Sequence, residues 1–261
     1  MPITYKSLNV DRIKKSTKHE SIHHFESLNS TNSWLLENGQ CGDICISDQQ
    51  SAGRGRRGNI WVSPNGGNIY FSQCWCFDSK IKHWSLLGLV AGLAIAEALE
   101  DIGIKGHGIK WPNDIFYQQK KLGGILLETI DQSGKVVIGI GLNVELAKKT
   151  TNKISQPVTS INEVIKDNHI PRELVLIKLI SRIEKRLSQF ASLDFQQFIA
   201  SWKKWDILQN KQVSFDHQGI IIVGKVVELD KYGRLGILKN SGELSFYSSA
   251  DIKLAKSKDS K

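Results

Sequence analysis

Polar residues dominate positions 1–25, where His19, His23 and His24 add to a basic stretch, and this segment reads as a solvated lead-in. Beyond it the apolar positions follow two periods. Ser30-Thr31-Asn32 ahead of Trp34-Leu35-Leu36 has the form of a short N-capped helix, because such side chains accept from free backbone N–H groups. Residues 44–47 and 68–77 alternate as strands. Residues 84–99 are apolar on every side and predict a buried helix, in which Gly88 and Gly92 allow close packing. Its greasiest part, 86–96, is far shorter than the roughly 20 residues a membrane span needs. Short strands follow at 108–111 and 115–117 around Pro112-Asn113-Asp114. Residues 122–130 and 135–144 read as an antiparallel pair joined near Asp131 to Gly134. Residues 173–190 return to a helical period at Leu176, Ile177, Ile180, Ile183 and Leu187.

After Trp202 and Trp205 the pattern changes to short β segments at 213–215, 219–229, 235–238 and 244–247. Turn signals at His217-Gln218-Gly219, Asp230 to Gly233 and Asn240-Ser241-Gly242 separate them, as in a small barrel or sandwich. The expected organisation is a lead-in over 1–25, an α+β domain over 26–208, a small β domain over 209–254 and a disordered Lys/Ser tail over 255–261.

Composition narrows the class. At 40% hydrophobic and 23% charged residues, the chain is globular in type, so extensive disorder is excluded. No apolar run opens it, so a secretory leader is not expected and the chain reads as cytoplasmic. Cys41, Cys45, Cys74 and Cys76 are too few for a disulfide scaffold and lack metal-site spacing, and they read as reduced thiols packed on a sheet. The net charge of +9 fits either a nucleic-acid partner or a site for anionic substrates.

Four segments carry candidate chemistry. Gly53-Arg54-Gly55-Arg56-Arg57-Gly58 precedes Trp61; its glycines admit an anion to the backbone and its arginines supply planar donors. An RG-rich nucleic-acid contact is the alternative. Lys110-Trp111-Pro112-Asn113-Asp114 gathers a cation, an amide and a carboxylate at one strand end, where Asp114 is a candidate Mg²⁺ ligand or an ordinary turn acid. Lys121-Leu122-Gly123-Gly124-Ile125 places two glycines inside a strand, either for close approach of a ligand or for a bulge, and in Gly139-Ile140-Gly141-Leu142-Asn143 alternate glycines clear one strand face beside an amide that can donate or accept. No Ser-His-Asp set, zinc-protease helix or phosphate-binding P-loop is present, so the reaction expected is attack of one substrate on another.

With these four motifs in this order, the chain resembles the biotin protein ligases (biotin–[acetyl-CoA-carboxylase] ligases) over about residues 25–254. The resemblance implies a mixed-sheet α+β catalytic domain of the biotin/lipoate ligase type followed by a small SH3-like β-barrel domain. It implies activation of biotin by ATP to biotinyl-5′-AMP, with Mg²⁺, and transfer to a lysine of the biotin carboxyl carrier protein of acetyl-CoA carboxylase. It assigns catalysis to Arg54, Arg56 and Lys121. Biotin contacts fall on Ser30, Thr31, Asn32, Gln50, Gly53, Arg54, Gly55, Arg56, Lys121, Gly123, Gly124 and Gly139. ATP or adenylate contacts fall on Arg56, Arg57, Gly58, Trp61, Lys110, Asn113, Asp114 and Asn143, with Asp114 and Asn143 toward Mg²⁺. The slot after Gly58, arginine in many relatives, is Asn59 here, so no cationic phosphate contact is expected there. Residues 1–25 leave no room for the winged helix-turn-helix of the bifunctional relatives, so a monofunctional ligase without specific nucleic-acid or membrane binding is expected, as monomer or homodimer. A lipoate or octanoate ligase or transferase is the alternative of the same fold.

Overall fold

The computed structural model describes residues 7–77, 83–129, 134–152, 154–166 and 169–254. Strands β1 (Ile22–Phe25), β2 (Ile44–Ser47), β3 (Ile69–Cys76), β4 (His107–Lys110), β5 (Asp114–Tyr117), β6 (Lys120–Thr129) and β7 (Lys135–Leu142) form one mixed sheet. Their order is β1-β2-β3-β7-β6-β5-β4, and only the β1–β2 pair is parallel. Helices α1 (Val10–Thr17), α2 (Thr31–Asn38), α3 (Leu87–Asp101), α4 (Lys148–Thr151), α5 (Ile161–Ile165), α6 (Arg172–Ser188) and α7 (Phe195–Trp205) complete this part.

Period-two alternation gives the central strands two unlike faces. Ile69 and Phe71 of β3, Ile125 of β6, and Ile138, Ile140 and Leu142 of β7 enter the main core. Helix α3 covers that face. A Cβ added at its Gly92 would sit 3.5 Å from Ile109, and one at Gly88 3.3 Å from Leu127, so these glycines set the close helix–sheet approach expected of them. Leu176, Leu179, Ile180, Ile183 and Leu187 of α6 are buried in the same core, the stripe its 3.6-residue period prescribes. On the opposite face, Leu35 of α2 packs with Cys45, Cys74 and Val137 in a small separate cluster.

The reading of 1–25 as a solvated lead-in is corrected. Residues 10–17 form α1, whose Ile13 is fully buried, and β1 lies parallel to β2 at the sheet edge. A helix with a single buried apolar residue and a strand written Ile-His-His-Phe leave almost no hydrophobic period to read. The three histidines face acids: His19 lies 3.5 Å from Glu184, His23 3.7 Å from Asp43 and His24 3.0 Å from Asp48.

The cysteine reading is corrected in part. Cys41 and Cys76 form a disulfide, with their Cα atoms 5.4 Å apart. The chain after α2 returns beside the end of β3, where Gly42 N–H donates to the Cys74 carbonyl, so pairing comes from tertiary register that Cys count cannot show. Cys45 and Cys74 are buried free thiols, and burial pushes the Cys45 thiol up to about 12.

Five further strands, β8 (Gln212–His217), β9 (Ile220–Leu229), β10 (Leu235–Lys239), β11 (Leu244–Tyr247) and β12 (Lys253–Leu254), form an antiparallel sheet in the order β11-β10-β9-β8-β12. Its Val213, Val226, Leu235 and Ile237 join the same hydrophobic core as α3, and Trp111 Nε1–H donates to the Gly233 carbonyl at 2.9 Å. The tail from 255 and part of the turn expected at 131–134 lie outside the described residues. No helix among the described residues is long and apolar enough to cross a membrane.

One buried ion pair ties the β-sheet edge to α6. Arg172 Nη1 lies 2.9 Å from Asp48 Oδ1 and also donates to the Asn68 carbonyl, with both charged side chains about one-tenth exposed. Burial alone would raise the Asp48 pKa, but the His24 hydrogen bond and Arg172 outweigh it and hold the carboxyl below its usual range. An acid held low stabilises the fold above its unfolded pKa of about 3.9, and that contribution is lost as pH falls through the folded value. Arg172→Met is expected to cost about 3 kcal/mol at pH 7, because a buried carboxylate loses its partner. Urea denaturation from pH 7 down to the acid limb measures this, with the deficit shrinking as Asp48 becomes protonated.

Candidate active site

The cleft lies over the glycine-bearing face of the sheet. Gly139 and Gly141 of β7 and Gly124 of β6 point their missing side chains into it. A Cβ at Gly139 would overlap Asn32 Oδ1, and one at Gly141 would overlap the Trp61 indole. The glycines of β7 therefore make room for two side chains of the cleft itself, while the β5–β6 register shifts between the Ile115–Gly123 and Phe116–Lys121 pairs, the bulge offered as the alternative for the Lys121 segment. The resulting space is about 740 Å³.

One end is neutral and densely hydrogen-bonded. Ser30 caps α2 and brings Thr31 and Asn32, both buried, to the sheet. Thr31 donates to Gln50 Oε1 from its backbone N–H at 2.9 Å and from its hydroxyl at 3.2 Å. Gln50 Nε2 donates in turn to Ser63 Oγ at 2.9 Å. Ser72 Oγ lies 2.6 Å from both Thr31 Oγ1 and Asn32 Oδ1, while Asn32 Nδ2 donates to Glu128 Oε2 at 2.8 Å. Every amide in this set has its orientation dictated by a neighbour.

The other end is cationic. The loop over 51–59 turns tightly, with Gly55 N–H donating to the Asn59 carbonyl at 2.7 Å and Arg57 at φ 55°, followed by Gly58 at φ 76°. That turn aims Arg56 inward, where Nη1 donates to Asn113 Oδ1 at 3.1 Å. Asn113 is itself fixed by donating to the Ile125 carbonyl at 2.9 Å. Arg56 and Arg57 share one further acceptor, Ser249 Oγ, at 3.1 and 2.7 Å. Lys121 pairs with Asp114 at 2.8 Å and stands 5.3 Å from the Trp61 ring centroid. Burial lowers the Arg56 pKa, with the neighbouring Arg57 charge acting in the same direction. Burial likewise lowers the Lys110 pKa, against the opposing pull of Asp114 and Asp251. Four cations thus converge on two carboxylates, and a polyanion entering here would relieve the imbalance.

Most of the expected site residues meet at this cleft: Ser30, Thr31, Asn32 and Gln50 at the neutral end; Gly55, Arg56, Arg57, Gly58 and Trp61 on the loop; and Lys110, Asn113, Asp114, Lys121, Gly124 and Gly139 on the sheet. Arg54 also lines it, but its guanidinium pairs with Glu128 at 2.7 Å, away from Lys121 and Asp114. Gly53, Gly123 and Asn143 stand outside the lining. A Cβ at Gly53 would strike the Trp61 carbonyl and Ser63, and one at Gly123 would sit 2.9 Å from the Gly141 carbonyl, so both serve packing. Asn143 turns its amide onto the Thr159 carbonyl at 3.1 Å and the Lys121 carbonyl at 3.4 Å, bracing the strand end that presents Lys121. Among the described residues no group of three His, Cys, Asp or Glu is arranged to hold a metal.

Sequence reasoning missed Ser72, Glu128, Ser249 and Asp251. Ser72 and Glu128 were within reach, since each shares strand parity with a glycine or cysteine of the cleft face. Ser249 and Asp251 arrive from the segment after β11, and nothing local in the sequence marks them.

The sequence profile of the biotin/lipoate A/B protein ligase family matches residues 22–145. The chain is 30% identical over 260 residues to the bifunctional ligase/repressor BirA of Salmonella typhimurium, covering 97% of this chain and 80% of the relative. It is 26% identical over 261 residues to the biotin–[acetyl-CoA-carboxylase] ligase of Mycobacterium tuberculosis, covering 96% and 95%. Among solved structures, the biotin protein ligase from Aquifex aeolicus in complex with biotin and ATP superposes with a TM-score of 0.78 at 30% identity, covering 91% of this chain and 100% of that one. By these matches and by its four ordered motifs, the chain belongs to the biotin/lipoate A/B protein ligase family, among the biotin protein ligases.

Proposed function

We propose that the chain joins biotin to ATP as biotinyl-5′-AMP and then transfers the biotinyl group to a lysine of a biotin carboxyl carrier protein. The observation that carries this reading is the polarity of one continuous cleft, neutral and hydrogen-bonding at Thr31, Asn32 and Gln50, cationic at Arg56, Arg57, Lys110 and Lys121. A ring with polar edges suits the first end, and a carboxylate meeting a polyphosphate suits the second.

In the first step a carboxylate oxygen of biotin attacks the α-phosphorus, and the bond to the bridging oxygen of pyrophosphate breaks. Two anions must approach, so Arg56 and Lys121 offset their repulsion and stabilise charge that builds on the phosphoryl oxygens. Trp61, lying flat over Gly141 with its indole N–H unpartnered among the described residues, offers a face and a donor to the bound adenylate. The loop over 51–59 excludes water from the mixed anhydride. In the second step the carrier's lysine amine attacks the acyl carbon, AMP departs, and the amine releases a proton. The nucleophile comes from the partner, which accounts for a site without a triad.

Mg²⁺ enters this scheme with ATP. Mg²⁺ sites commonly combine one or two carboxylates with substrate phosphates, and Asp114, now paired with Lys121, would supply the carboxylate at the cationic end. Asn143 stands outside the cleft lining, its Nδ2 donating to two backbone carbonyls, so we assign the carboxylate of Asp114 rather than Asn143 to the metal side. We read the C-terminal five-stranded sheet as the SH3-like module of the family, which contributes Ser249 and Asp251 to the cleft. We infer a cytoplasmic location from the requirement for ATP as a substrate.

Incubating purified protein with biotin, ATP, Mg²⁺ and a carrier domain is expected to add one biotinyl mass to the carrier, dependent on both small molecules. Lipoylation or octanoylation without biotinylation would overturn the choice of acid. Lys121→Ala is expected to slow pyrophosphate release by about 100-fold or more, the scale seen when one transition-state charge donor is removed. Arg56→Gly is expected to release adenylate into solution, seen as carrier-independent biotinylation of bystander lysines; unchanged leakage would remove Arg56 from adenylate retention.

A further inference from the structure

We propose that Glu128 is a positioning residue that straps the loop over 51–59 across the biotin end of the cleft, and that Arg54 acts through this strap and not on the phosphates. The inference rests on the ligase reading above for its substrate, but its geometry stands apart from it. Glu128 lies on β6 four residues beyond Gly124, with the same strand parity. At about 3.4 Å per residue that is roughly 13 Å along the strand, so the two positions mark opposite ends of a biotin-sized span.

A single carboxylate oxygen receives both partners. Glu128 Oε2 accepts from Arg54 Nη2 at 2.7 Å and from Asn32 Nδ2 at 2.8 Å. The first bond fixes the loop, since Arg54 is the residue whose backbone bridges Ile60 and closes it. The second fixes the Asn32 amide, whose Oδ1 faces Ser72 Oγ at 2.6 Å. One acid therefore sets both a wall and a floor of the same end. Arg54 is 41% exposed and Glu128 24%, so the pair is solvent-screened and adds little to fold stability. Its consequence falls on the loop. Arg56 and Lys121, by contrast, engage Asn113 and Asp114 at the opposite end.

Two measurements test this. In the ligand-free protein, Glu128→Ala is expected to speed tryptic cleavage after Arg54, Arg56 or Arg57 several-fold with an unchanged melting temperature. That outcome needs no substrate, and an unchanged cleavage rate overturns the strap whatever the enzyme's activity. In the biotinylation assay, Glu128→Ala and Arg54→Ala are each expected to raise KM for biotin about tenfold with kcat nearly unchanged, the pattern of lost ground-state binding. The double variant is expected to be no worse than either single one, because the two residues act as one unit. Glu128→Gln, which retains an acceptor for Asn32, is expected to recover part of the loss. A fall in kcat of about 100-fold in Arg54→Ala alone would show Arg54 acting on the reacting atoms and overturn the proposal. If the wild-type protein joins no biotin, the ligase reading fails and the cleavage result alone decides the strap.

Discussion

The site depends on a constraint of strand parity. In a pleated strand neighbouring side chains take opposite faces, so Ile138, Ile140 and Leu142 can build the core only if 139 and 141 face the other way. Those two positions are glycine, and Trp61 and Asn32 occupy the space their side chains would fill. A strand with two interior glycines pairs less well by itself. Here β7 is held between β3 and β6 along nearly its whole length, so its neighbours supply the rigidity that its own residues lack. The cleared face and the packed face are consequences of one register, and a slip by a single residue would exchange them.

Charge follows from that geometry. The excess of basic residues first suggests a nucleic-acid surface, yet the cations that matter are partly buried in one cleft. Lys110 and Arg56 both pay a desolvation cost that lowers their pKa, and neither has a carboxylate of its own. Lys121 does, in Asp114, so the cleft mixes one satisfied ion pair with cations short of partners. Such an arrangement is held by surrounding structure and favours an anionic ligand over water. Neutral hydrogen-bonding groups at Thr31 and Gln50 extend the same cleft without extending its charge, which gives a bound molecule one orientation.

How much of this was legible depends on the range over which each signal acts. The α2 cap at Ser30, the α3 glycines and the β6–β7 pair were readable because their causes are local: a capping side chain, a close approach, a period. The cleft residues were readable as segments through four ordered motifs. Strand β1 and helix α1 were not, since β1 owes its place to backbone pairing with β2 and its histidines to distant acids. The Cys41–Cys76 bridge escaped for a similar reason, its partners being brought together by the return of the chain beside β3. Arg54 shows a finer limit: motif position places it in the cleft, and only coordinates show that Glu128 has its guanidinium.

The C-terminal sheet carries the argument a step further. Trp111 is almost fully buried and donates to Gly233 across the two parts, within a residue or two of Lys110 and Asn113. Ser249 meets Arg56 and Arg57 from the same side. The strand end that presents the cationic residues and the loop that covers them are both referenced to the small sheet, one through a backbone carbonyl and one through a hydroxyl. A catalytic loop needs freedom to admit ligands and a fixed point to close against. The buried Trp111 contact is the fixed point, whereas the Ser249 contacts are made by long guanidinium side chains that can be released without disturbing the core. Because the Ser249 and Arg54–Glu128 contacts are less buried than the Trp111 contact, opening of the loop is expected to break the former and leave the Lys110–Asp114 segment in place.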